Sequence, residues 1–327
     1  MPESAVDTTH DALLDGNTHY VDVPGIEDLR EAFADHLNGT YGIGYTEEET
    51  IVTAGVQEAR FLTIQKIGEQ FDVISLPEVV HPGVRRVIGV RDQDVRTLGA
   101  EQERGYLPAV SDIRYALERG CELLYLESPA RLTGAAYDRE EVEYIADLLR
   151  SHDAYAILDQ GQAVWVPDGY ESLGARSGMF DRVAVLGEAW PGKGLENASI
   201  GYIATGNDDW YDQMESEKQT ISICTSTPSQ FAALKIGSRF EETHSDQRRT
   251  FANARSDVLE AAKDAGIEPI SGDVVTQIAV SLSSRHQEHL EDNGVEFVDG
   301  GDFGAPETVR VAVGADGTTV TAFEHLQ

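Results

Sequence analysis

Lysine is nearly absent from this chain. Its 327 residues include five, Lys66, Lys193, Lys218, Lys235 and Lys263, against 20 arginines. Basic residues are few altogether, 25 against 58 acidic ones, for a formal net charge of −33. A surface this negative repels phosphate backbones and anionic bilayers, which excludes nucleic acid and membrane as partners. The acid is spread along the chain rather than gathered in a tail. That is the pattern of a solvated, halophilic acidic surface in a salt-rich cytosol, where ions screen the self-repulsion. Cysteine is as scarce. Cys121 and Cys224 cannot build a disulfide framework, and their apolar settings, "RGCELLYL" and "ISICTS", point to buried inert thiols. Long apolar runs are missing too. None would span a bilayer, and the opening "MPESAVDTTHDALLDG" lacks the apolar stretch of a signal peptide. These absences leave a cytoplasmic globular protein, and a hydrophobic fraction of 41% suffices for a large core.

What is present is an alternation of short β-branched runs with amphipathic stretches. "TIVTAG" (50–55), "FDVISLP" (71–77), "RRVIGV" (85–90), "CELLYLESP" (121–129), "AYAILD" (154–159), "DRVAVLG" (181–187) and "ASIGYIA" (198–204) read as strands. Segments 24–37, 56–69, 111–120 and 138–153 read as helices, and residues 1–20 as irregular chain. The order predicts an α/β protein with a mostly parallel sheet flanked by helices. A long helical stretch to residue 266 then leads to "VVTQIAVSL", a helix near 285–293, "GVEFVDGGDFG" and "TVRVAV", an α+β C-terminal lobe. The implied division is 1–38 as an N-terminal segment packing with the small lobe, 39–240 as a large cofactor-type domain, and 241–327 as the small domain.

Several residues have a chemical setting. In "TAGVQEA" (53–59) a strand ends at Gly55 and a helix begins at once, so the free N–H groups at Gly55, Val56 and Gln57 suit a phosphate or form a plain tight turn. Asp159 ends a buried strand, where a carboxylate can serve as ligand, base, partner of a cationic ring nitrogen or simple cap. Lys193 sits in a glycine loop after a strand, "LGEAWPGKGLENASIGY", as a Schiff-base amine would, or as a solvated loop residue. "HQEH" (286–289) lacks a third metal ligand and reads as an exposed helix face, so no metal is expected.

Taken in order, these pieces resemble the class I/II aminotransferases, the fold type I pyridoxal-phosphate enzymes, over residues 19–315. The resemblance implies that Tyr20 reaches the cofactor phosphate of a second subunit and that Gly55, Val56 and Gln57 hold the phosphate. It implies that Asp159 pairs with the pyridine nitrogen, Lys193 carries the cofactor, and Arg310, in "ETVRVAV", binds the substrate carboxylate. It further implies a homodimer acting on an amino acid or 2-oxo acid, by transamination or by elimination or decarboxylation. The chain is short at both ends relative to that family. It also departs from the pattern. The ring-hydroxyl asparagine falls at Arg131 and the following proline at Leu132. The tyrosine after the aspartate is Gln162. Val79 or His81 stands where an aromatic stacks, and Ser199 stands for the phosphate arginine. Counted back from Gly201-Tyr202, the lysine position falls on Pro191, two residues before Lys193. With those contacts gone together, Arg131 becomes a candidate replacement cation. A fold kept for binding or scaffolding without pyridoxal phosphate is then the other reading.

Overall fold

Two sheets carry the chain, in a computed structural model describing residues 2–90, 93–167 and 169–326. The elements begin with helices α1 (Glu3–Leu14) and α2 (Glu27–Tyr41), then β1 (Thr50–Thr53), α3 (Gly55–Gly68), β2 (Val73–Pro77), α4 (Pro82–Val90) and β3 (Asp94–Leu98). There follow α5 (Val110–Glu118), β4 (Leu123–Glu127), α6 (Arg139–His152), β5 (Tyr155–Asp159), β6 (Val183–Glu188) and β7 (Gly201–Ala204). The large sheet has the order β1-β7-β6-β5-β4-β2-β3. Strands β3, β2, β4, β5 and β6 run parallel, and β7 is antiparallel to both β6 and β1. Every residue of β4 is buried, which accounts for its continuous apolar sequence: helices cover both faces of a parallel sheet.

Helices α7 (Asp208–Ile221), α8 (Thr227–Gly237) and the 25-residue α9 (Phe240–Asp264) lead to the smaller lobe. That lobe comprises β8 (Pro269–Ile270), β9 (Gln277–Val280), α10 (Ser284–Asp292), β10 (Phe297–Asp299), β11 (Val309–Ala312) and α11 (Thr318–Glu324). Its antiparallel sheet, ordered β10-β11-β9-β8, buries Ile278, Val280, Val309 and Val311 against Val258, Leu290 and Phe323 of the helices.

Two expectations need correction. Residues 85–90 are not a strand but the end of α4, because Pro82 opens a first turn and Val84 and Val87, three apart, are buried together. The strand of that region is β3, an exposed edge whose sequence "DVRTL" carries little apolar signal. Within the stretch expected to be irregular, Glu3–Leu14 form α1, which buries Ala5 and Ala12. It packs on α8, and α2 packs on α8 and β1. Two alanines offer too little apolar periodicity to read.

Candidate active site

The parallel strands β4, β5 and β6 each end in a carboxylate: Glu127, Asp159 and Glu188. Glu127 lies directly beside Asp159 in the β4–β5 register. In an open α/β sheet this C-terminal edge is the ligand crevice.

Asp159 is fully buried and heavily bonded. Its Oδ2 accepts from Arg60 Nε at 2.9 Å and Nη2 at 2.7 Å, and from the Tyr125 hydroxyl at 3.2 Å. Its Oδ1 accepts from Arg131 Nη2 at 2.8 Å and from the Gly161 N–H at 3.2 Å. Five donors meet two oxygens, which exhausts the lone pairs of a carboxylate. Burial by itself would raise this carboxyl's pKa, but the guanidiniums of Arg131 and Arg60 override it and hold the group well below the usual carboxylate range. Arg131 also donates from Nη1 to Glu188 Oε1 at 2.8 Å, so it bridges two acids.

Burial and the charge of Asp159 push Glu127 up to about 7. It accepts the main-chain N–H of His81 at 2.9 Å and of Arg131 at 3.4 Å. Burial, then the charges of Arg60 and Arg131, pull His81 down to about 3, so it is neutral at pH 7. Its Nδ1 lies 3.0 Å from both Arg60 Nη1 and the Gly83 N–H, which makes Nδ1 the acceptor and leaves the proton on Nε2. Of the two residues expected near the stacking position, His81 lines the crevice and Val79 is buried with Leu132 and Phe303.

At the other end of the crevice, Gly55 opens α3 with φ +71°, a conformation that would strain any other residue. Gly55, Val56 and Gln57 line a cavity of about 630 Å³ together with Arg131, Trp190 and Pro191. Arg131 is the one cation on that lining among the described residues, and Glu188 and Glu196 add negative charge. Ser199 lines it too, in a left-handed conformation with φ +53°.

Lys193 is placed elsewhere. Its Nζ donates to Gln247 Oε1 at 2.8 Å and lies 5.7 Å from the centre of the Phe240 ring. No lysine among the described residues lines this cavity or the adjoining one of about 910 Å³. The same loop lines the smaller cavity at Trp190, Pro191, Gly192, Leu195 and Glu196, and Pro191 is the residue reached by counting back from Gly201-Tyr202. Tyr20 projects from the surface, 78% exposed. Arg310, on β11, faces the adjoining cavity with His81, Arg131, Gln162 and Glu188. Its Nη1 donates to the Arg131 carbonyl at 2.9 Å, and it has no acidic partner among the described residues. The structure therefore brings together Asp159, Arg131, Arg310 and the 55–57 turn, and leaves out Lys193 and Tyr20.

Arg60, Glu127, Glu188 and Tyr125 belong to the site and were not singled out from sequence. Arg60 had a usable signal, since it lies among apolar residues in "ARFL" one turn beyond Gln57.

A mostly parallel sheet with a carboxylate at the crevice and a small lobe supplying an arginine define a fold type I transferase. The chain belongs to the class I and II aminotransferases, whose family description it matches over residues 1–326. The aspartate/prephenate aminotransferase of Thermus thermophilus is 28% identical over 323 residues, covering 95% of this chain and 83% of the relative. The arginine–pyruvate transaminase of Pseudomonas aeruginosa is 27% identical over 203 residues, covering 62% and 52%. Among solved structures, the Thermus thermophilus aspartate aminotransferase with maleate superposes with TM-score 0.85 at 25% identity, covering 100% of this chain and 88% of that one. The aromatic aminotransferase of Pyrococcus horikoshii superposes with TM-score 0.87 at 20% identity, covering 99% and 92%, a likeness of fold. Membership supports a pyridoxal-phosphate-dependent transferase as the enzyme class and pyridoxal phosphate as the cofactor.

The residues around Asp159, as they stand, do not fit that cofactor. The oxygen a ring nitrogen would use is held by Arg131. No lysine among the described residues lines the cavities. A phosphate at the 55–57 turn would find amide donors but, among the described residues, only Arg131 as a cation, with two glutamates on the same lining.

Proposed function

We propose that the crevice receives the carboxylate of an amino acid or of the matching 2-oxo acid, as a transferase of this family requires, with Arg310 as the group that binds it. One observation carries this reading: Arg310 is a partly buried guanidinium, facing a cavity, whose one hydrogen bond among the described residues goes to a carbonyl and not to an acid. Burial, reinforced by the charge of Arg131, lowers its pKa, and the charges of Glu188 and Glu127 offset this only in part. A ligand carboxylate would restore the balance through two parallel N–H···O bonds. Gln162 and Thr276 on the same lining supply neutral polar groups for the rest of a small polar ligand. Isothermal titration with L-aspartate, oxaloacetate and maleate tests this. Binding of all three, lost in Arg310→Met, is expected. Equal binding by wild type and variant refutes it.

Transamination is the first reading within this proposal. Binding without cofactor chemistry is a second, favoured by the Arg131–Asp159 pair, and the absorption spectrum of the purified protein with and without added pyridoxal phosphate separates the two. A homodimer and a cytoplasmic, salt-rich setting complete the proposal. The exposed Tyr20, which a second subunit would cover, supports the dimer. The charge of −33 supports the setting, as does the lack, among the described residues, of a helix long and apolar enough to cross a membrane. Sedimentation at low and high salt checks the dimer.

A further inference from the structure

We propose that Arg131 is an internal competitor of the cofactor: its guanidinium occupies the cation place on Asp159, so pyridoxal phosphate engages Asp159 only when Arg131 is displaced or replaced.

Three observations carry this. Arg131 is 6% exposed, and its two terminal nitrogens are committed to Asp159 and Glu188, each at 2.8 Å. Its main chain is anchored as well, with the N–H donating to Glu127 and the carbonyl accepting from Arg310. It is therefore a built part of the site and not a surface cation that strayed inward. Finally, the backbone makes room for it. A Cβ at Gly161 would lie 2.2 Å from Arg131 Nη2, so the residue two after Asp159 has to be glycine for the guanidinium to lie where it does.

The consequence is electrostatic. A protonated ring nitrogen and a guanidinium are both cations seeking Asp159 Oδ1, and the far side of Asp159 is already held by Arg60. Admitting the ring means breaking the Arg131–Asp159 ion pair and moving a buried charge, a cost borne before any ring contact forms. Glu188 is where the freed guanidinium would stay. The inference concerns the crevice described above but does not depend on a carboxylate binding at Arg310. Its readout, pyridoxal phosphate held by the protein, is separate from the carboxylate titration.

The test compares pyridoxal phosphate binding by equilibrium dialysis in wild type, Arg131→Asn, Asp159→Asn and the double variant, with folding checked by circular dichroism. Arg131→Asn is expected to bind at least about tenfold more tightly than wild type. Adding Asp159→Asn should abolish that gain, while Asp159→Asn in the wild-type background changes little. Should Arg131→Asn fail to fold, Arg131→Met replaces it, because it fills most of the same volume without charge. Wild-type binding as tight as that of the Arg131 variant overturns the proposal. So does a tenfold loss caused by Asp159→Asn alone, because the ring would then already be using Asp159.

Discussion

Arg131 Nη2 lies 2.8 Å from Asp159 Oδ1, both side chains are buried, and Arg60 holds the other carboxylate oxygen. Two buried guanidiniums thus depend on one carboxylate. Buried pairs add little over an apolar filling, yet removing one partner is expensive because the other charge is left in low dielectric. Asp159→Asn keeps the shape and removes the charge, so it should destabilise the fold by about 3–5 kcal/mol. Urea unfolding measures this, and a midpoint within error of wild type would contradict the ledger. Changing Arg60, Arg131 and Asp159 together to Met, Met and Leu should cost less than the summed single changes, since the only ion-pair partner left behind among the described residues is Glu188, whose side chain is 38% exposed.

The pH dependence of stability follows from Glu127. Its ordinary value of 4.5 is raised to about 7 in the fold, so the native state keeps a proton that the unfolded chain releases. The stabilisation is full below pH 4.5 and is lost as pH rises to about 7, with stability falling across that window. Asp159 works oppositely, because its depressed carboxyl contributes stability that is lost only in strong acid. Glu127→Gln resembles the protonated form at every pH. Its melting temperature should therefore fall less than that of wild type between pH 5 and 8, and parallel curves would assign the slope to other groups.

Most of the large domain was legible because parallel strands buried on both faces read as apolar runs, and β4, β5 and β6 do up to the carboxylate that ends each. Edges were harder. Strand β3 has exposed residues, and α4 was mistaken for a strand because "VRRVIGV" is β-branched although its buried valines are three apart. Asp159 and the turn at Gly55 could be singled out because each ends a readable strand, and Arg310 because "ETVRVAV" resembles the family's C-terminal lobe. The partners of Asp159 could not. Arg60 comes from α3, Tyr125 from β4 and Arg131 from the following turn, and only the sheet order brings them together. Lys193 shows the limit of loop reading, since two residues separate Pro191, on the lining, from Lys193, which reaches only as far as Gln247 at its edge.

Lys193 should accordingly be replaceable. Its contacts are one hydrogen bond and a ring contact at the margin of a partly exposed loop, and its pKa is lowered only by partial burial. Lys193→Ala should change stability by no more than about 1 kcal/mol, the scale of an exposed polar contact. It should leave the affinity for oxaloacetate and maleate unchanged. A tenfold loss of that affinity would bring Lys193 into the site after all.

Arg310 should behave in the opposite way. Its lone hydrogen bond among the described residues is to a carbonyl, so replacing it removes a partly buried charge that no acid pairs directly. Arg310→Met should leave thermal stability unchanged or slightly higher. A charge-assisted bond to a ligand carboxylate is worth about 1.5–3 kcal/mol, which translates into about a ten- to hundredfold weaker titration with maleate. Loss of stability with intact binding would reverse the assignment and make Arg310 a structural residue.

Two glycines near the crevice separate a soft contact from a hard one. A Cβ at Gly161 would meet Arg131 Nη2, the movable end of a long side chain. A Cβ at Gly201 would instead meet main-chain atoms, with Gly55 C at 2.8 Å and both Gly187 O and Val56 N at 2.9 Å, where β7 crosses the start of α3. Side chains give way at lower cost than backbone, and overpacking typically costs about 1–3 kcal/mol. The steric part of the cost of Gly161→Ala should fall at the low end of that range, with the weakened Arg131–Asp159 pair adding to it as the guanidinium shifts, and that of Gly201→Ala at the top or beyond it. Because Gly161→Ala pushes on Arg131 alone, it should also tighten pyridoxal phosphate binding in the same direction as Arg131→Asn, which dialysis can read. A stable Gly161→Ala protein whose binding matches wild type would show that the guanidinium has another way to stay on Asp159.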